Sequence, residues 1–203
     1  MSKHKIVLFD VDGVLLLPPT LFAEQYCKKY GVDPKEQVKF YATKEFRDAS
    51  LGKYDLKDAL RQHNDLWQWP GTPEELMNMW FEGENYPNNE LLDVVARLRK
   101  DGVKVYLATQ QERYRKQWLE EKVFKDKVDG IFCSCDLGFN KHEDHFWRAV
   151  LDKLLADFPG LSASQIAYFD DRQTLVDKAR EFGIDAQLYA SVGEVEAVLA
   201  EYA

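Results

Sequence analysis

From Asn88 onward the sequence alternates short apolar runs with longer segments of helical spacing. Val103–Ala108, Gly130–Ser134, Gln165–Phe169 and Ile184–Leu188 read as strands, the first of them ending at Thr109. Glu90–Lys100, Glu112–Lys122, His142–Asp157, Arg172–Phe182 and Val192–Tyr202 read as helices. In the first helix Leu91, Leu92, Val95 and Leu98 fall on one face, and Asp101-Gly102 closes it. Strands alternating with helices of these lengths imply a parallel sheet covered on both faces. The expected class is α/β, a Rossmann-like parallel sheet flanked by helices, with a helical domain inserted into it.

The stretch Lys5–Gly13 supplies the first strand. Ile6-Val7-Leu8-Phe9 is apolar throughout, as expected of a strand buried on both faces. It stops at Asp10 and Asp12. In extended backbone, residues i and i+2 point to the same side. Two acids so placed repel each other unless a positive group or a shared proton offsets the repulsion. After Gly13 and Val14-Leu15-Leu16-Leu17, the pair Pro18-Pro19 halts regular structure and hinges the chain into the insert. From about Thr20 to Tyr86 the pattern is helical. Leu21–Tyr30 closes at Gly31, Asp33-Pro34 starts a second helix, Asp55 a third, and Thr72-Pro73-Glu74-Glu75 is a capping box. The expected division is a discontinuous α/β core, 1–16 and 87–203, around a helical domain, 17–86. Trp67, Trp69 and Trp80 lie in the insert, where helix packing is their expected role.

The strands stop at polar residues: Asp10 and Asp12, then Thr109, then Asp170 and Asp171. Ligands of open parallel sheets bind outside the carboxyl ends of the strands. Four carboxylates converging there need a cation, and hard oxygen donors favour Mg²⁺, which also binds phosphate oxygens. Lys141, in the loop Gly138-Phe139-Asn140-Lys141, can reach the same crevice. Singly, each residue has a plainer reading: Thr109 as a helix cap, Lys141 as a solvated lysine, the two late aspartates as helix-terminal acids. At successive strand ends, those readings are hard to sustain together. His142 and His145 lack a third ligand and read as helix residues. Cys133 and Cys135 are expected to share one strand face as packing residues, and the three cysteines form no disulfide framework, which fits a reducing cytoplasm.

The chain has 203 residues, 45% hydrophobic and 31% charged, with net charge −8. The acidic balance argues against non-specific nucleic-acid binding and anionic membranes. The first apolar run is too short for a signal peptide, and no stretch is long enough to span a membrane. The expected location is the cytoplasm.

Taken in order, these residues resemble the haloacid dehalogenase superfamily of phosphatases and phosphotransferases. The signatures are Asp10-Val11-Asp12-Gly13-Val14 after a strand, Thr109, Lys141 with Trp147 six residues on, and Tyr168-Phe169-Asp170-Asp171. The insert resembles the family's helical cap of the first type, and Phe46–Leu60 resembles caps of small-metabolite phosphatases. The chain departs from the pattern at Gln110 and Leu175, where asparagine is common, and at His142-Glu143-Asp144, where Pro-Asp-Pro is common.

The resemblance implies a Mg²⁺-dependent phosphatase acting on a small phosphate monoester such as a sugar phosphate or nucleotide. Asp10 is the implied nucleophile and Asp12 the acid and base. Thr109, Gln110 and Lys141 bind the phosphoryl group. Asp10, Asp170, Asp171 and the Asp12 backbone carbonyl hold the metal. A phosphomutase and a silent binding protein on the same scaffold are the alternatives. The oligomeric state is open, a monomer included.

Overall fold

The computed structural model describes residues 4–200. Five strands form one parallel sheet in the order β3-β2-β1-β4-β5: β1 Ile6–Phe9, β2 Lys104–Thr109, β3 Gly130–Cys133, β4 Ile166–Asp170 and β5 Asp185–Leu188. The fold is the expected Rossmann-like α/β sheet. Between β1 and β2 lie α1 Phe22–Tyr30, α2 Pro34–Gln37, α3 Lys44–Ser50, α4 Leu56–Gln62, α5 Asn64–Trp67, α6 Pro73–Gly83 and α7 Asn89–Lys100. The remaining helices are α8 Arg113–Trp118, α9 Ser134–Leu137, α10 Asp144–Asp157, α11 Gln173–Arg180 and α12 Val192–Ala200. The expected helix end at Tyr202, and the outer limits of the core at 1 and 203, lie outside the described residues.

Strand alternation divides the core. Val7 and Phe9 of β1 join the cluster that also holds Val105, Leu107, Ala167 and Phe169. Ile6 and Leu8 join the opposite cluster, with Phe146, Trp147 and Val150 of α10. All four β1 side chains are buried, because helices cover both faces of this central strand.

Local chemistry sets the helix limits. Asp33, Thr43, Asp55 and Thr72 each accept a backbone N–H at a helix start, and Thr72 with Glu75 completes a capping box. The chain enters and leaves the α1–α6 region through adjoining segments. The Leu17 N–H donates to Tyr86 O at 2.8 Å and the Asn88 N–H to Leu15 O at 2.9 Å. Inside that region Trp67 is fully buried, with Tyr26, Phe40 and Trp80 around it at centroid distances of 5.1–6.0 Å. These residues belong to the same apolar cluster as one face of the sheet.

Two sequence expectations change. Cys133 and Cys135 do not share a strand face. β3 ends at Cys133 and Ser134 opens α9, so the turn of a helix, not the pleat, brings the two free thiols to 3.3 Å. His142 precedes α10, which starts at Asp144, while His145 lies within it and stacks on Phe139 at 4.8 Å.

The loop after α3 seats against α9. The Ser134 hydroxyl donates to Ser50 O at 2.7 Å, and Gly52 has φ +68° with its α-carbon facing the Cys135 carbonyl. A Cβ there meets backbone on both counts of space and φ. Gly52→Ala is therefore expected to destabilise the protein by about 2 kcal/mol or more. Chemical denaturation measures this, and an unchanged midpoint would refute the tight seating.

Candidate active site

The carboxyl ends of β1, β2 and β4 converge. The Asp10 N–H still donates to Phe169 O at 2.9 Å, which continues the β1–β4 pairing and sets Asp10 beside Asp170. Lys141 joins them. Its Nζ lies 2.8 Å from Asp10 Oδ1, 2.7 Å from Asp170 Oδ2 and 3.1 Å from the Tyr168 hydroxyl. The Lys141 side chain is 0% exposed and all three ammonium hydrogens have acceptors. The Tyr168 hydroxyl donates to Asp170 Oδ2, and the Arg172 N–H donates to Asp170 Oδ1 at 2.8 Å. Trp147 Nε1 donates to Lys141 O at 2.8 Å and fixes the lysine backbone.

These contacts divide the acids electrostatically. Burial pushes Asp10 up to about 7, against the pull of Lys141. Burial acts on Asp170 too, but the Lys141 charge and the donors Lys141, Tyr168 and Arg172 N–H outweigh it and hold Asp170 below its ordinary value. Asp171 is raised by burial and by neighbouring Asp170.

Asp12 faces elsewhere. Gln111 Nε2 donates to its Oδ2 at 2.7 Å and Arg115 Nη2 to its Oδ1 at 3.0 Å. Arg115 is buried, and its Nη1 lies 3.2 Å from Glu84 Oε2, just after α6. Glu84 is raised by burial, with Arg115 opposing. Gln111, Arg115 and Glu84 were not singled out from the sequence.

Thr109 is buried at the end of β2, its Oγ1 accepting from Gln111 Nε2 at 3.1 Å. Gln110 Oε1 accepts the Lys141 N–H at 3.3 Å. A cleft of about 620 Å³ opens here, floored by Asp10, Asp12, Thr109, Gln110 and Asp171. Lys141 lies behind that floor. Gly13 has φ +82°, and a Cβ there would collide with the Asp171 carboxylate, so only glycine brings this turn against Asp171.

Asp10, Asp170 and Asp171 each offer a carboxylate oxygen within 4.8 Å of the others. Such an all-oxygen set fits a hard divalent cation. The Asp12 carboxylate is outside this set.

A family model for haloacid dehalogenase-like hydrolases matches residues 4–183. The chain belongs to this family. Solved HAD structures share the fold. A HAD family enzyme of Bacteroides thetaiotaomicron, in complex with magnesium and inorganic phosphate, has a TM-score of 0.77 at 18% identity, over 93% of this chain and 96% of its own. A HAD-like hydrolase of Porphyromonas gingivalis has 0.76 at 17%, over 97% and 98%. A 2-haloacid dehalogenase of Pseudomonas syringae has 0.68 at 15%, over 98% and 100%. No curated protein sequence matches the chain. Among the described residues, no helix of this HAD-like hydrolase is long and apolar enough to cross a membrane.

Lys141→Met would leave two buried carboxylates without their cation. The expected cost is about 3–5 kcal/mol near neutral pH. The loss should shrink toward pH 5, as the freed Asp170 carboxyl, no longer held low by the lysine, takes up a proton, and urea denaturation at both pH values measures it. A loss independent of pH would exclude the ion-pair explanation.

Glu112 starts α8 and accepts the Tyr114 and Arg115 N–H groups at 2.7 and 2.6 Å. Burial nevertheless raises it from 4.5 to about 7, outweighing those bonds and the charge of Arg115. The folded value lies above the unfolded one, so stability should fall as pH rises from 4.5 to about 7 and then level off. Glu112→Gln should flatten that fall in thermal melts, and an unaltered pH dependence would contradict it.

Proposed function

We propose that this HAD-like hydrolase is a phosphatase of small phosphate monoesters. The observation that carries the reading is the separate mounting of Asp10 and Asp12. Asp10 is buried against Lys141, while the Asp12 side chain is 53% exposed to the cleft and gripped by Gln111 and Arg115. A departing halide needs no protonation, whereas a departing alkoxide does, so a second acid on a mount of its own favours phosphoryl transfer over dehalogenation. The magnesium and phosphate in the Bacteroides relative support the same choice.

In this reading Asp10 attacks phosphorus in line. The Asp10 oxygen–phosphorus bond forms as the phosphorus–alcohol bond breaks, giving an aspartyl-phosphate. Asp12 protonates the leaving oxygen and then, as carboxylate, takes a proton from the water that hydrolyses the intermediate. Thr109 and Gln110 receive the phosphoryl oxygens. Lys141 holds the nucleophile and offsets the added charge from behind the floor. Asp10, Asp170, Asp171 and the Asp12 carbonyl would hold Mg²⁺, which neutralises and orients the phosphoryl oxygens. Residues 17–86 act as a cap that shields the cleft from water. The cytoplasm is the proposed location.

Release of inorganic phosphate from monoesters with Mg²⁺ tests this. The native protein should turn over, Asp10→Asn should fall to background, and Asp12→Asn should lose about 10²–10⁴-fold. Halide release from 2-haloacids without phosphate release would overturn the reading in favour of a dehalogenase.

A further inference from the structure

The cleft above Asp10 has two chemically different sides. The floor described above is polar. The facing wall is Leu17, Pro18, Leu21, Ala23, Tyr41 and Trp80, with Glu84 set among them. This wall is braced from behind. Trp80 stacks on Phe22 at 6.3 Å and 12° and on Phe46 at 6.2 Å and 24°, and Tyr41 packs edge-on against Trp80 at 5.7 Å. Leu17 and Leu21 stand at the mouth 44% and 64% exposed. A bound molecule would take the exposed apolar surface out of water.

The charges around the cleft restrict that molecule further. Glu84 accepts the Phe22 N–H at 3.1 Å and Trp80 Nε1 at 3.0 Å, and its charge is matched by Arg115. Arg115 is itself buried between Glu84 and Asp12 and does not line the cleft. The one cation among the lining residues is Arg172, on the floor side, 3.9 and 4.0 Å from Asp170 and Asp171. The wall itself carries no lysine, arginine or histidine. A second carboxylate or phosphate on the substrate would find no partner there and would face Asp12, Glu84 and Asp171.

We propose that this wall selects phosphate esters of uncharged, apolar or aromatic alcohols and rejects esters that carry a second anionic group. The proposal rests on the phosphatase reading above and narrows it. The phosphoryl group sits over Asp10. The alcohol's apolar body lies along Tyr41, Trp80, Leu17 and Leu21. Ala23 leaves room for a ring where a larger residue would fill the space.

The test compares kcat/KM for four esters of primary alcohols: 2-phenylethyl phosphate, glycerol 3-phosphate, 3-phosphoglycerate and phosphoglycolate. None has an activated leaving group, so the ranking reports the wall and not the chemistry of departure. The phenylethyl ester should exceed each of the others by about tenfold or more. Leu21→Arg supplies the missing cation at a site exposed enough to accept it, just before α1. It should move the ratio of 3-phosphoglycerate to phenylethyl ester upward by about fivefold. Turnover of all four without that ranking, or a lead for any of the polar or charged esters, overturns the selectivity and leaves the phosphatase intact. An unmoved ratio in a folded, active Leu21→Arg protein overturns the placement of the alcohol at the mouth. Absence of turnover on every ester, with halide release from 2-haloacids, removes the phosphatase reading and the selectivity with it.

Discussion

The site depends on one ammonium group sealed behind its floor. Lys141 has no exposure, and its three donors go to Asp10, Asp170 and Tyr168. Isolated in an apolar interior, such a cation would be costly. It is tolerated because three elements deliver acceptors to one point: β1 supplies Asp10, β4 supplies Tyr168 and Asp170, and the loop before α10 supplies the lysine. Trp147 adds the other half of the constraint. Its indole N–H holds the lysine carbonyl, and its ring meets Tyr168 edge-on at 4.8 Å. The parallel sheet sets the spacing, because β1 and β4 are in register from Ile6↔Ile166 to Phe9↔Phe169 and both run into aspartate at the next step.

A second buried cation does a different job. Arg115 connects Asp12 of the core to Glu84 at the end of α6. Lys141 ties groups that all belong to the sheet ends, whereas Arg115 ties the sheet ends to the helical insert. The apolar core follows the same division without a seam, since Trp67 and Trp80 of the insert share a cluster with Phe9 and Leu107 of the sheet. A shift of α6 relative to the sheet would therefore be felt at Asp12 before it is felt at Asp10.

The sheet, its helices and the strand-end placement of Asp10, Thr109 and Asp170 were legible because each follows from a local rule: a short apolar run, a turn, a polar residue where the strand stops; Lys141 sits in a loop, where no such rule applies. Arg115 was not legible. Arg113, Arg115 and Lys116 stand together in one helical turn, and only the rotation of α8 separates them. Arg113 reaches Gly52 O at 2.6 Å, Lys116 pairs outward with Glu120 and Asp136, and Arg115 turns inward to Asp12, far away in sequence. Glu84 was hidden for the same reason, being one of two acids near the end of α6, with a partner from beyond β2. Cys135 was misread because an apolar run does not tell where a strand stops. β3 stops where Ser134 begins a turn whose hydroxyl is claimed by Ser50 O.

The two acids that end β1 can coexist because the fold gives each its own cation. Asp10 is 6% exposed and bonded to Lys141; Asp12 is 53% exposed and bonded to Arg115 and Gln111. Repulsion between them is thus offset on two separate sides and not by a proton held in common. The asymmetry of exposure then separates what the two can do. A buried carboxylate fixed by an immobile ammonium keeps one orientation toward the cleft, which suits attack on an electrophile. A carboxylate at the cleft surface, with its oxygens held by side chains of the β2–α8 segment, faces whatever occupies the cleft. The arrangement still leaves Asp10, Asp170 and Asp171 within 4.8 Å of one another with one lysine between them. Three carboxylates so close, one of them facing the cleft beside Gly13, carry more negative charge than Lys141 and the more distant Arg172 guanidinium balance together. A hard divalent cation bound on the cleft side is the physical complement of that excess.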